Sequence, residues 1–145
     1  MSAGSEYLDQ EKDLKDRLRE HARDLGFSAM GVCRPNAVPE AADRLRAFVD
    51  AGYHGQMLWM AERMGWRGSA QELWPACQSV VMLADVYTPD VDPLQKLKAR
   101  DRGNISVYAQ NRDYHDVIKK RLKRLGRWLL DAAGGEIKVF DLATG

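Results

Sequence analysis

The sequence predicts a single α/β domain, with a mixed sheet flanked by helices, and three observations support this prediction. Apolar residues recur at helical spacing in three segments, short apolar runs typical of strands lie between them, and glycines separate the segments. Strands that alternate with helices are typical of α/β domains. The 145 residues have the length of one domain and are enough to bury a core, so we expect residues 1–145 to form one domain.

The first two predicted helices are residues 6–25 and 38–51. Apolar residues of the first recur at spacings of three and four, and Gly26 follows the last of them. His21 shares this apolar face, and we expect it to be a hydrogen-bonded residue at the edge of the core. The second segment has the same periodicity and ends at Gly52.

The third helix is the most regular element, beginning near Asp113 and ending at Gly134-Gly135. Its apolar stripe is Tyr114, Ile118, Leu122, Leu125, Leu129 and Ala132, and its basic face is Lys119, Lys120, Lys123 and Arg127. Asp113 and Asp116 suit a helix cap and the positive end of the helix dipole. A solvated surface is the commoner role of such a basic face, and a phosphate-binding surface is the alternative.

Four segments have the character of strands: residues 27–33, 79–87, 105–108 and 136–140. The continuous apolar run of 79–87 predicts a strand buried on both faces. Residues 88–104, rich in Pro and Asp, predict a loop.

Composition excludes some classes of protein. The 22 Lys and Arg residues nearly balance the 21 Asp and Glu residues, so no global field marks a nucleic-acid binder. The chain has no run of 18 apolar residues, and its first residues are polar and acidic, so we expect a cytoplasmic monomer that does not contact a membrane. Cys33 and Cys77 cannot form a four-cysteine metal site, and both are expected to be reduced core residues.

Three segments contain side chains suited to chemistry. In "GYHGQMLWM" (52–60), two glycines permit the close approach of a flat ligand, although packing is the commoner role of such residues. Arg67 precedes a polar turn, and its fork of donors suits a carboxamide or a phosphate. Ser106 lies at the end of a predicted strand, and the helix that follows begins with Asp113 and His115. Such junctions line ligand crevices in open α/β sheets.

Four segments together resemble the N-terminal domain of epoxyqueuosine reductases. They are "GYHGQMLWM", "ELWPACQSVVML", "GNISVYAQNRDYHDVIKKRLKRL" and "GGEIKVF", and they occur in the order and spacing of that family, within Leu14 to Phe140. The resemblance implies a cobalamin-dependent oxidoreductase that reduces epoxyqueuosine at the wobble position of tRNA, the last step of queuosine synthesis. Family members bind cobalamin in this domain and hold two 4Fe-4S clusters in a following ferredoxin-like domain, so tRNA and an electron donor are the implied partners.

The resemblance also implies site residues. The cobalamin contacts of the family fall on Arg67 and Ser106, and its catalytic proton donor, which also lies at the cofactor, has Asp141 as the available counterpart. The run Asp113-Tyr114-His115 matches the family motif and is expected to shape the pocket wall and to cap the helix, so that Ser106 points at the corrin.

Two positions depart from the family pattern. Gln110-Asn111 replaces Arg-Gly, where Asn tolerates the left-handed backbone that Gly would adopt. Asp141 comes one residue earlier than the family acid, and in a strand one residue reverses the side-chain direction. We expect a cobalamin-binding fragment that has no cluster ligands and ends before the iron–sulfur domain through truncation, a frame shift or natural variation. The alternatives are a stand-alone RNA-binding module and an inactive remnant.

Overall fold

The structure is a computed structural model that describes residues 3–110 and 113–140, with side chains described from Asp13 onward. It confirms the predicted α/β class, because the chain is a small domain of mixed helix and strand. Contacts divide it into two compact units, Met1–Ala29 with Ala84–Gly145, and Met30–Leu83. We call the first the helical unit and the second the central unit.

The elements follow the order of the chain. The helices are α1 (Ala3–Asp24), α2 (Ala41–Asp50), α3 (Leu58–Glu62), α4 (Met64–Arg67), α5 (Ala70–Leu73) and α6 (Tyr114–Ala133). The strands are β1 (Ala29–Cys33) and β2 (Val80–Ala84), and two 3₁₀ helices are Pro93–Lys98 and Val107–Ala109. In the described part of the chain, no helix is both long enough and apolar enough to span a bilayer.

The core of the helical unit lies where α1 packs against α6. Its buried side chains are Leu18, Ala22, Phe27 and Leu125. His21 lies at the edge of this core, as predicted, with its ring stacked on Trp128 at a centroid distance of 4.9 Å, while the hydrogen bond expected for its ring stays a prediction. Gly26, at φ 94°, follows α1 at the predicted position.

An arginine fastens α6 to the turn after α1. The Arg121 guanidinium donates to the Asp85 carboxylate and, at 3.4 Å, to the carbonyl of Gly26. The same carboxylate accepts the Val86 backbone N–H at 2.9 Å and the Ser28 hydroxyl at 3.3 Å. This network joins α6 to the residues just before β1 and just after β2.

The segment after α6 corrects one prediction, because residues 136–140 form no strand. Ile137 and Val139 lie against Gly126 of α6, where an added Cβ would lie 3.3 Å from the Val139 Cγ2. The alternation of Ile137 and Val139 therefore reflects packing on a helix, since no described strand pairs with this segment.

The central unit contains a two-stranded antiparallel sheet and four short helices. Helices α2 and α4 approach closely, because a Cβ at Gly68 would lie 2.8 Å from the Cβ of Ala42. The predicted burial of β2 on both faces is wrong, since Met82 is 51% exposed and two strands cover little of each other's surface. Cys77 is buried as predicted, whereas Cys33, at the end of β1, is exposed.

Candidate functional site

Arg67 is the last residue of α4, and its guanidinium stacks on the indole of Trp59 in α3. The Arg67 Cζ lies 4.5 Å from the ring centroid. The two helices are separated only by Arg63, which brings their side chains together. The Arg67 Nε is buried and has no hydrogen-bond partner among the described residues.

This arrangement holds a planar cation in a fixed orientation with one donor unused. A buried donor without a partner costs about 1–3 kcal/mol, so a ligand acceptor that reached it would regain much of that free energy. Stacking on Trp59 restricts the guanidinium before any ligand binds, which lowers the entropy lost on binding. The geometry suits an anionic or amide-rich ligand.

The segment around Arg67 presents many apolar side chains to solvent. Tyr53, Met57, Leu58, Trp59 and Trp66 are all exposed. A second pair repeats the arginine–tryptophan arrangement more loosely, with the Arg63 Cζ 5.7 Å from the Trp66 centroid. His54 Nδ1 is also buried without a partner in the described part of the chain. The packing role considered for this segment is seen in part, because Met60 is half-buried and the Tyr53 ring makes an edge contact with Phe48 at 5.6 Å.

Ser106 lies in the helical unit, in a turn and not at the end of a strand. The prediction of a strand over 105–108 is wrong, because residues Val107–Ala109 form a 3₁₀ helix with Ser106 as its N-cap. The Ser106 carbonyl accepts the Ala109 N–H at 2.9 Å, while its side chain makes no capping hydrogen bond and the residue is exposed. The hydroxyl is therefore available to a ligand.

Gln110 holds this turn closed. Its Nε2 donates to the Ile105 carbonyl at 2.7 Å, and its Oε1 accepts from Lys96 Nζ at 2.9 Å. The first bond closes the turn that contains Ser106. The second links this turn to the 3₁₀ helix Pro93–Lys98. This role of Gln110 was not predicted from the sequence. The available signal was that Gln110 stands where the family has Arg.

The Asp-Tyr-His run caps α6 as predicted. Asp113 Oδ1 accepts the His115 backbone N–H at 2.9 Å and also contacts His115 Nδ1. The His115 ring stacks on Tyr114 at a centroid distance of 4.1 Å. A role for this run in a pocket wall stays a prediction. Asp141 lies outside the described residues.

The predicted site residues are thus divided between the units, with Arg67 in the central unit and Ser106 in the helical unit. Within residues 13–110 and 113–140, no three His, Cys, Asp or Glu residues are grouped to hold a metal ion. The fold defines a small α/β domain, and each of its units contains a polar side-chain group without a hydrogen-bond partner among the described residues.

Comparison with known proteins narrows this class. Residues 67–141 match the family model described as "Epoxyqueuosine reductase QueG, DUF1730", a range that contains Arg67, Ser106 and Asp141. The chain belongs to the epoxyqueuosine reductase family, as its sequence motifs predict.

Curated relatives agree with the family model. The chain is 39% identical to the epoxyqueuosine reductase of Gloeobacter violaceus over 130 residues, which are 89% of this chain and 39% of that protein. It is 33% identical to the Escherichia coli protein of the same name over 126 residues, 86% of this chain and 33% of that protein. The chain thus spans a third to two-fifths of the length of these relatives. No solved structure gives a significant match.

Proposed function

We propose that this chain is the cobalamin-binding part of an epoxyqueuosine reductase, a cytoplasmic oxidoreductase that reduces epoxyqueuosine at the wobble position of tRNA. Family membership supports the class of reaction. The observation that supports cofactor binding is Arg67, whose buried Nε has no partner in the described residues and whose guanidinium stacks on Trp59.

The residues present fit a corrin cofactor. Cobalamin carries carboxamides and a phosphate, which are the acceptors that a stacked guanidinium with an unused donor recognises best. Ser106 offers a hydroxyl that does not cap its own helix and is held in place through Gln110. We propose Arg67 of the central unit and Ser106 of the helical unit as cofactor contacts, each on the observations within its own unit.

Reduction of an epoxide needs electrons and a proton. Bound cobalamin would supply a cobalt centre that passes electrons to the epoxide. The oxygen of the opening ring must be protonated, and we assign this role to Asp141 as the acid nearest in sequence to the family position. With two cysteines, the chain cannot ligate a four-cysteine cluster, so we expect the electrons to come from 4Fe-4S clusters or a donor outside this chain.

A cobalamin titration tests the cofactor assignment. We expect the visible spectrum of cobalamin to shift when the purified chain is added. Arg67→Ala should weaken binding by about 5- to 150-fold, because one buried donor accounts for roughly 1–3 kcal/mol. Arg67→Lys should retain the charge and lose most of the affinity, because Lys lacks the Nε donor and the planar fork.

The chain contains a matched control for this experiment. Arg63 stacks on Trp66 at 5.7 Å in the neighbouring turn, and its guanidinium atoms are not among the buried donors without a partner. Arg63→Ala should therefore leave cobalamin binding within about twofold of the unsubstituted chain. An unchanged spectrum at saturating cobalamin, or equal losses in both variants, would refute the assignment of Arg67.

A further inference from the structure

The outward face of α6 carries a second candidate site, a stripe of four basic residues. Lys120, Lys123, Arg124 and Arg127 are exposed, and none forms an ion pair within residues 13–110 and 113–140. Their spacings of three, one and three place them on one side of the helix. Arg121, between them in sequence, points elsewhere and binds Asp85.

The stripe has a charge density similar to that of a nucleic-acid strand. Its four charges lie within about 10.5 Å along the helix axis, at steps of about 4.5, 1.5 and 4.5 Å. One strand of a duplex carries about one phosphate per 3.4 Å of its axis, so roughly three phosphates fall within the same length. Asp116 and Asp131 lie one turn beyond each end of the stripe, which confines the positive region to this length of α6.

A recess beside the stripe adds an apolar surface. It has a volume of about 210 Å³ and is lined by Lys123, Gly126, Arg127, Leu130, Ile137 and Val139. Complete small-molecule sites usually enclose roughly 300–1,000 Å³, so this recess suits only part of a larger molecule. Because Lys123 and Arg127 line it, an occupant anchored there by phosphates could extend an apolar sugar or base edge into the recess.

From these observations we propose that Lys120, Lys123, Arg124 and Arg127 form a binding surface for the phosphate backbone of tRNA. The choice of tRNA rests on the proposed function. The surface itself rests on the four exposed charges that form no ion pair with described residues, their grouping on one side of α6 and the recess beside them. Its contacts with phosphates carry no sequence information, so the stripe would set the position of the RNA on α6 and leave base recognition to other residues.

Fluorescence anisotropy with a labelled tRNA transcript tests this surface. In Lys123→Gln/Arg127→Gln, two lost phosphate contacts should lower the slope of log affinity against log salt by about 1.4–1.8 and weaken binding about tenfold or more near 0.1 M salt. The matched control is Arg34→Gln/Arg46→Gln, which removes two exposed charges in the central unit that form no ion pair with described residues. It should retain the salt slope of the unsubstituted chain.

Each outcome decides the proposal. Equal losses in the two double variants, no binding of tRNA by the unsubstituted chain, or binding to phosphatidylserine vesicles in preference to tRNA would overturn it. The cobalamin titration on the same samples separates the two proposals. A spectral shift without tRNA binding refutes only the stripe, whereas stripe-dependent tRNA binding without a shift refutes only the cofactor assignment.

Discussion

The helical unit and the central unit differ in how many apolar side chains they bury. In the helical unit, two long helices bury Leu18, Ala22, Phe27 and Leu125 between them. Over the described side chains of the central unit, Cys77 is the only buried apolar residue, and Trp59 and Trp66 are exposed. Both units also expose large apolar side chains, such as Tyr87 and Leu94 in the helical unit. The helical unit therefore has a core of its own, whereas the central unit buries little and contains the two buried nitrogens without a partner in the described residues, His54 Nδ1 and Arg67 Nε.

The largest expected effect tests the core of the helical unit. Leu125 is 4% exposed, and Leu125→Ala should lower the free energy of unfolding by about 2–5 kcal/mol, because it removes buried methyl groups and leaves a cavity. Leu58 in the central unit is 62% exposed, and Leu58→Ala should cost less than about 1 kcal/mol. Urea unfolding measures both, and similar losses would remove the distinction between the units.

A smaller effect tests the tight contact between α2 and the residue that follows α4. Gly68→Ala would place a Cβ 2.8 Å from that of Ala42 and 3.3 Å from its Cα, and it should destabilise the chain by roughly 1–3 kcal/mol. Gly65, within α4, has open space at its Cβ position, whereas Gly68 is the C-cap of that helix. Gly65→Ala should be neutral or stabilising by up to about 1 kcal/mol. If Gly68→Ala proves as mild as Gly65→Ala, the two helices are not closely packed.

The smallest effect compares helix caps in the two units. Asp113→Ala removes the acceptor for the His115 N–H of a 20-residue helix and should cost about 1 kcal/mol, while Asp113→Asn should retain most of the stability. Ser69→Ala removes the equivalent bond to the Gln71 N–H of the four-residue α5 and should cost about 0.5 kcal/mol. Thermal unfolding of the three variants tests whether the cap of α6 contributes more stability than the cap of α5. Equal losses of stability in Asp113→Ala and Ser69→Ala would contradict this.

Much of the fold follows from periodicity in the sequence. The predicted helix over 6–25 is α1 (Ala3–Asp24), and the segment over 38–51 is α2 (Ala41–Asp50). The apolar stripe of α6 is confirmed in its middle, because Leu125 is buried, whereas Tyr114 and Ala132 near the ends of the stripe are exposed. Of the predicted basic face, Lys120, Lys123 and Arg127 are exposed, and Lys119 is half-buried. Long amphipathic segments repeat their signal many times, so a single ambiguous residue does not hide it.

The two wrong strands show where periodicity stops being informative. Residues 105–108 and 136–140 are short apolar runs, which fit a strand, a turn or a packed tail equally well. In the first, the deciding contacts are the side-chain bonds of Gln110 to Ile105 and Lys96. In the second, Gly126 leaves room on α6 for Val139. Both of these contacts involve residues outside the apolar run, so the sequence of the run alone does not predict them.

The candidate site was predictable in part. Arg67 and Ser106 were named from a family motif. The Arg67 Nε has no hydrogen-bond partner among the described residues, and the Ser106 side chain makes no capping hydrogen bond. The stacking partner Trp59 was foreseen only as a member of an aromatic segment, because contacts between α3 and α4 depend on how the chain turns at Arg63. A local sequence pattern identifies the donor but not the ring that holds it.

The bond from Arg121 to the Gly26 carbonyl closes a loop of 95 positions. During translation at about 5–20 residues per second, roughly 5–20 s separate the synthesis of these two residues. For that interval α1 exists without the helix that covers its apolar face. The newly made amino-terminal segment must therefore stay unaggregated on the ribosome until the last third of the chain emerges.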